Sequence, residues 1–173
     1  MKIIIVTGTP AAGKKTLSRW LSQELGFKIL DLKPVITKSS EKYDRKKKCY
    51  VVDIKKLNKE VVGLIREEKK KFKKSKVGIK KQMSGLIIPS HLIHHLPKRY
   101  VDLCIVVKCS DLKKLEQRLK KRKYSRKKIM ENLQCEIFDI CLEEAKKKHQ
   151  ILVVDTSKQI NKNNLVKGIR KLI

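Results

Sequence analysis

With 173 residues and 40% hydrophobic content, the chain suits one domain, residues 1–173, built on a single core, and no uncharged apolar run approaches the roughly 18–20 residues of a membrane span. Its 45 basic against 17 acidic residues, a formal net charge of +28, argue against a heat-adapted ion-pair network, which needs the two signs near parity. Five cysteines, an odd number with no C-x-x-C spacing, argue against a disulfide frame or a zinc site and read as reduced thiols in a cytoplasmic protein.

In chain order, Lys2–Thr7 is a buried strand around Ile3-Ile4-Ile5-Val6, and because it opens the chain no cleavable signal peptide is expected. It breaks into Gly8-Thr9-Pro10-Ala11-Ala12-Gly13-Lys14, after which Leu17, Trp20, Leu21 and Leu25 mark an amphipathic helix. Strand, glycine-framed loop and helix form the context in which G-x-x-x-x-G-K holds a nucleotide's phosphates. Gly8 and Gly13 let the backbone turn tightly, and amides from Ala11 to Thr16 converge on anionic oxygens at a helix N-terminus. Lys14 adds a charge that reaches the β- and γ-phosphates of ATP. Many P-loop proteins follow that lysine with a Ser or Thr whose hydroxyl ligates Mg²⁺. Here Lys15 stands there and the hydroxyl arrives at Thr16, so a potential metal ligand gives way to a second cation.

A short strand follows at Lys28–Leu30. Residues 33–50, with Pro34, Ser39, Ser40 and a Lys/Arg cluster, read as a mobile loop near a second substrate. Ile54, Leu57, Val61, Leu64 and Ile65 line one face of a helix from Asp53 to about Lys70. The most basic segment, 69–85, either extends that helix or projects as a basic arm. Gly85–Ile88 and Leu103–Val107 are apolar strands. Leu112, Leu115 and Leu119 then place a helix from Asp111 to Arg122, and Ser125 caps a further helix carrying Ile129, Leu133, Ile137 and Ile140. Ile151–Val154 is the last strand, and Leu165, Ile169 and Leu172 line a terminal helix. Strands separated by helices imply an α/β fold: a parallel sheet of five strands with helices on both faces and the phosphate loop at the carboxyl end of the first strand.

Arg118, Arg122 and Arg126 border a cationic turn between two helices. They are candidates to clamp transferring phosphates, against the alternative of a solvated basic face. The excess of positive charge suits a polyanion such as RNA, since phosphate contacts reward dense Lys/Arg surfaces without base reading. The alternative is a lysine-biased surface. Aromatics, at 5%, do not advertise stacking on single-stranded bases.

Several runs together resemble one family. They are Gly8-Thr9-Pro10-x-x-Gly13-Lys14, the run Arg118-Leu119-x-x-Arg122-x-Tyr124-Ser125-x-x-Lys128-Ile129-x-Glu131-Asn132, the following Gln134-Cys135-Glu136-Ile137-Phe138, and Val154-Asp155-Thr156. Tyr43-Asp44 with Cys49 and Asp53, and Ser90-His91-Leu92-x-His94 before Pro97, add to the pattern. Across nearly its whole length the chain is similar to the adenylate kinase isoenzyme 6-like family. The resemblance implies a P-loop kinase fold with a nucleoside-monophosphate-binding segment near 33–56 and a short lid near 121–131. It implies broad-specificity adenylate kinase activity (ATP and AMP giving two ADP), with Mg²⁺ held through phosphates and water, together with ATP hydrolysis. It also implies a part in late maturation of the small ribosomal subunit, touching a small-subunit ribosomal protein and pre-rRNA, in the cytoplasm or the nucleus. By the same resemblance Lys14, Arg122 and His91 are the expected catalytic residues, and Ala11, Gly13, Lys14, Lys15, Thr16 and Arg122 bind the nucleotide. The rival reading is a nucleotide-binding assembly factor with feeble catalysis.

Departures from the family pattern bear on that choice. Family members end strand three with Asp-x-His, and alignment on His91 puts Pro89 in the aspartate's place. The loop's central Gly is Ala11, a mild change if φ there is negative, and the lid's Gly before Tyr124 is Lys123, expected merely to stiffen the lid. Adenylate kinases proper carry Gly and then Thr after the loop lysine, so Lys15-Thr16 is compatible with that chemistry. Asp31 is a candidate substitute for the missing aspartate, against a turn or cap role. His94 and His95 read as ordinary loop residues. With no cysteine or carboxylate at ligand spacing beside them, no protein-bound metal is expected.

Overall fold

The computed structural model describes residues 1–44, 49–74 and 85–173, with the side chains of 41–44, 49–50 and 74 left aside. Strands β1 (Lys2–Thr7), β2 (Lys28–Ile29), β5 (Gly85–Pro89), β6 (Leu103–Lys108) and β7 (Ile151–Asp155) form one sheet in the order β2-β5-β1-β6-β7. Every pairing is parallel. β1 lies at the centre, so its residues are covered on both faces, which is why Ile3-Ile4-Ile5-Val6 is continuously apolar rather than alternating.

In place of the single core expected, the side chains of the central strands divide by parity into two cores, one on each face of the sheet. Ile4, Val6, Ile87, Ile105 and Val107 meet α1 (Lys14–Leu25) through Leu17 and Leu21, α4 (Leu112–Lys121) through Leu115 and Leu119, and α7 (Lys162–Leu172) through Ile169. Ile3, Ile5, Leu86, Ile88 and Val106 meet α3 (Ile54–Lys74) through Leu57, Val61 and Ile65, and α6 (Ile140–Lys146) through Leu142 and Ala145. The five-stranded parallel sheet flanked by helices agrees with the expectation. No helix among the described residues is long and apolar enough to cross a membrane.

Two stretches differ from expectation. Residues 33–50 are not simply a loop: α2 (Lys33–Lys38) begins with Pro34 in its first turn, and β3 (Ser40–Asp44) pairs antiparallel with β4 (Cys49–Val52). Proline in a helix's first turn is an initiator, because the N–H it lacks has no partner there anyway. The apolar rhythm from Ile129 to Ile140 belongs to two helices, α5 (Arg126–Ile137) and α6, separated where Asp139 turns left-handed at φ 51°. The basic segment does extend α3, as far as Lys74; residues 75–84, the rest of the expected arm, lie outside the described residues.

Ser125 caps α5 as expected, its hydroxyl accepting from the Lys128 amide at 3.3 Å. Glu136 is buried, and its carboxylate accepts from the Cys109 amide at 2.6 Å, pinning α5 to the chain leaving β6. Of the four cysteines whose side chains are described, none is bonded to another. Burial pushes the Cys104 thiol up to about 12, which keeps it an inert core thiol.

Candidate functional site

The loop leaves β1 at the carboxyl edge of the sheet, and its shape is enforced by contacts no side chain could share. Gly8 has φ 132°, and a Cβ there would stand 2.1 Å from the Val107 carbonyl oxygen. Gly13, with φ 109°, has the Thr156 methyl 3.0 Å from its would-be Cβ. Thr156 closes the loop from the other end of the chain: its hydroxyl donates to the Ala12 carbonyl at 2.6 Å and also lies 3.1 Å from the Lys108 carbonyl. Arg118 braces Thr156 in turn, donating to its Oγ1 at 3.0 Å and its carbonyl at 3.2 Å. Asp155 accepts from Ser110 and Ser157; burial alone would raise its carboxyl, but these hydrogen bonds outweigh burial and hold it well below the usual carboxylate range.

Lys14 is half-buried and folds over this loop, donating to the Gly8 carbonyl at 2.6 Å and the Thr9 carbonyl at 2.9 Å. Burial, helped by Arg122 and opposed by Cys141 and Glu136, lowers its pKa to about 8. A lysine so placed is charged at neutral pH while bonded only to neutral carbonyls, an arrangement primed to attract an anion.

Two cavities meet at the loop. The larger, about 630 Å³, runs between Thr16, Leu17 and Trp20 of α1, Arg118 and Lys121 of α4, and Thr156, Ile160 and Lys162. The smaller, about 220 Å³, is lined by Lys14, Lys15, Asp31, Lys33 and Ile36, by the end of β5, Pro89-Ser90-His91, and by Tyr124. Ala11, Gly13 and Arg122 line both. A ligand in either therefore reaches the same amides and the same guanidinium.

Most of the residues singled out in the sequence do converge here. Thr16 faces the larger cavity, Lys15 and His91 the smaller, and Arg122 stands at the junction. Arg126 lines neither cavity and sits exposed in the first turn of α5. Asp31 lines the smaller cavity and also plays the turn role, its Oδ1 accepting from the Lys33 amide at 3.0 Å. His91 is open to solvent, yet desolvation by the cleft and then the charges of Lys14, His94 and Lys128 push its pKa below the ordinary imidazole range. It is therefore neutral near pH 7 and offers a hydrogen bond, not a charge.

Ala11 and Lys123, the two places where a family glycine is missing, do not behave as expected. Both have positive φ, 68° and 56°, so Ala11 is not a mild change. Left-handed backbone costs an L-residue about 1–2 kcal/mol. At Lys123 the reason is visible: Lys123 and Tyr124 donate to the Lys120 and Leu119 carbonyls at 2.8 and 3.4 Å, the paired bonds of a Schellman ending for which glycine is favoured. Lys123 thus ends α4 rather than merely stiffening the lid.

His94 and His95 are not ordinary loop residues either. His94 is buried, with Nδ1 2.8 Å from the Thr7 hydroxyl and Nε2 2.7 Å from Glu144. His95 Nε2 lies 3.9 Å from the same carboxylate. A carboxylate fifty positions along the chain supplies what local spacing lacked, and the three side chains come within ligating distance of one another. Both nitrogens of His94 already have partners, Thr7 on one side and Glu144 on the other.

For Mg²⁺ at the phosphate loop the donor set does not fit a cation held by the protein. Lys15 has replaced the hydroxyl directly after Lys14, the Thr16 hydroxyl faces the larger cavity, Pro89 ends β5 without a side-chain oxygen, and one oxygen of Asp31 is tied to the start of α2. Thr156 and Glu136 emerge as organisers of the site that motif reading quoted without assigning a task, and Arg118, singled out as a phosphate clamp, lines the larger cavity while bracing Thr156. Only the long-range pairing of β6 with β7 reveals it.

Comparisons with known proteins agree with this geometry. A family model described as an AAA domain matches residues 4–139. A protein of Methanocaldococcus jannaschii, provisionally named an adenylate kinase, is 36% identical over 160 residues, covering 89% of this chain and 76% of its own. The adenylate kinase isoenzyme 6 homolog of Drosophila melanogaster is 31% identical over 153 residues, 87% of this chain and 78% of its own. Among solved structures, deoxyadenosine kinase from M. mycoides with bound dATP covers 99% of both chains at a TM-score of 0.53 and 18% identity, and shares the fold. Shikimate kinase from Acinetobacter baumannii covers 99% of this chain and 92% of its own at 0.56 and 15%.

Proposed function

This chain belongs to the adenylate kinase isoenzyme 6 family of P-loop nucleotide kinases, and from that premise we propose that it transfers the γ-phosphoryl group of ATP to AMP. The observation that carries the reading is the meeting of two cavities at one phosphate loop, with Ala11, Gly13 and Arg122 common to both. A hydrolase needs one nucleotide pocket; a phosphotransferase needs two that share a transfer point.

In this reading the adenosine of ATP enters the larger cavity beside Trp20 and Arg118, and its phosphates run across the amides of 11–16 toward Lys14. AMP enters the smaller cavity between α2 and His91, within the segment 33–56. An oxygen of the AMP phosphate attacks the γ-phosphorus in line. The bond to the β–γ bridging oxygen breaks, and that oxygen leaves with the electron pair as part of ADP. Charge on the equatorial oxygens is met by Lys14 and by Arg122 from the lid, 121–131, while neutral His91 orients the acceptor or a water. Mg²⁺, when it accompanies the phosphates, would supply further neutralisation, held through the phosphates and water.

Water in place of AMP gives ATP hydrolysis. The net charge of +28, with lysines and arginines exposed along α4 and α5, supports a further role beside pre-rRNA and a small-subunit ribosomal protein, in the cytoplasm or nucleus. Lys15 and Pro89 favour a second reading, a nucleotide-binding assembly factor with little turnover. ADP formation from ATP, with and without AMP and with Lys14→Ala as blank, separates the two. AMP-stimulated turnover lost in the variant supports the kinase, and ATP binding without turnover supports the assembly factor.

A further inference from the structure

In many P-loop nucleotide enzymes the divalent cation is gripped from two sides, by a hydroxyl just after the loop lysine and by an acid at the end of a neighbouring strand. Here both grips are altered, and they face the same space. Lys15, exposed on the first turn of α1, and Pro89, the last residue of β5, both line the smaller cavity. Pro89 pairs in register with Val6, and the Ser90 amide donates to the Val6 carbonyl at 3.0 Å, so it stands level with the start of the phosphate loop. The charges around that cavity are Lys14, Lys15, Lys33 and Arg122 against Asp31 alone, whose Oδ1 is engaged by the Lys33 amide.

We infer that the phosphate loop takes the nucleoside triphosphate as its metal-free polyanion, the terminal phosphates reaching from the larger cavity to the mouth of the smaller one, where Lys15 supplies the positive charge that a coordinated cation supplies elsewhere. The inference rests on the reading of the larger cavity and the phosphate loop as the ATP site. Its physical basis is competition. A dication bound to the β- and γ-phosphates removes half the charge of ATP before it meets the cations of the cleft, and it must sit beside an ammonium instead of an oxygen ligand. Free ATP meets every cation with its full charge, and Lys15 offers hydrogen-bond donors that a hydrated metal would displace.

Trp20 is the only tryptophan in the chain and lines the larger cavity, so its fluorescence reports occupancy without any turnover. ATP is titrated into the protein in EDTA and again with millimolar Mg²⁺, with calorimetry as a second readout. The expected dissociation constant in EDTA is equal to that in Mg²⁺ or lower, by up to about tenfold. Tenfold tighter binding in Mg²⁺ overturns the inference while leaving the ATP-site reading intact; no binding in either buffer overturns both. Lys15→Ser with Pro89→Asp restores both oxygen ligands and is expected to make Mg²⁺ tighten binding about tenfold. Lys15→Ser alone alters only an exposed side chain, so it keeps the test open if the double variant misfolds. It is expected to weaken ATP binding in EDTA about tenfold, and unchanged affinity there overturns the role given to Lys15.

Discussion

The two walls of the cleft are built on different principles. The wall formed by β6, α4 and the end of β7 is a closed network: Thr156 holds Ala12 and Lys108, Arg118 holds Thr156, Asp155 holds Ser110 and Ser157, and Glu136 holds Cys109. The facing wall, formed by Lys15, Asp31 and the end of β5, presents side chains to the cavity and few mutual bonds. Where backbone geometry makes the site, substitution is resisted by neighbours that would all have to move. Where a side chain's own chemistry makes it, one replacement changes the ligand the site prefers. Departures from the family pattern at Lys15 and Pro89 both fall on the second wall, which is what that distinction leads one to expect.

Gly8→Ala attacks the hinge between the walls. With a Cβ driven to 2.1 Å from the Val107 oxygen at φ 132°, the expected loss of stability is about 3 kcal/mol or more, read by urea denaturation. A stable variant would mean that β1 and β6 separate more easily than the network implies. Lys14→Ala leaves both walls standing and removes the charge between them; phosphoryl transfer is expected to fall about 10²- to 10³-fold with the denaturation midpoint little changed.

Arg118→Ala tests the closed wall alone. It strips Thr156 of two hydrogen bonds and is expected to cost about 1–3 kcal/mol, with weaker ATP binding and unaltered AMP dependence. Equal loss for both substrates would erase the distinction between the cavities.

The pH response of Lys14 has opposite signs in binding and stability. Its folded pKa, about 8, lies below the ordinary 10.5, so between those values the unfolded chain binds more protons and the contribution of Lys14 to stability rises with pH. Phosphate attraction falls over the same window, and ATP affinity at pH 9 is expected to be lower than at pH 7 by up to about tenfold. Lys14→Arg, which stays charged, should flatten the profile measured by Trp20 fluorescence. The smallest effects belong to Ala11→Gly and Lys123→Gly, each expected to stabilise by about 0.5–1 kcal/mol through relief of left-handed backbone.

The sheet was legible because β1 and β6 are apolar throughout, and the phosphate loop because its glycines, lysine and flanking periodicities are contiguous. What escaped reading depends on distant partners. Whether Ala11 tolerates its place turns on a φ of 68° that no residue type announces, and Asp139 breaks an apolar helical rhythm that runs unchanged from Ile129 to Ile140. Glu144 reaches His94 from fifty positions away. Residues 33–50 were misread as a loop because Pro34 and two serines look like punctuation, although a proline there starts α2.

The bond from Thr156 to Ala12 spans 144 positions, and it ties the loop after β1 to the turn after β7. The apolar strands can collapse once β6 has emerged, but the loop's grip waits for β7 and the turn beyond it, among the most non-local contacts in the chain and therefore among the slowest to form. A nascent chain halted before residue 156 would carry β1, β5 and β6 and still present an open loop. Nucleotide capture thus waits on the docking of β7: the ligand stabilises only a chain in which residues 12 and 156 have met.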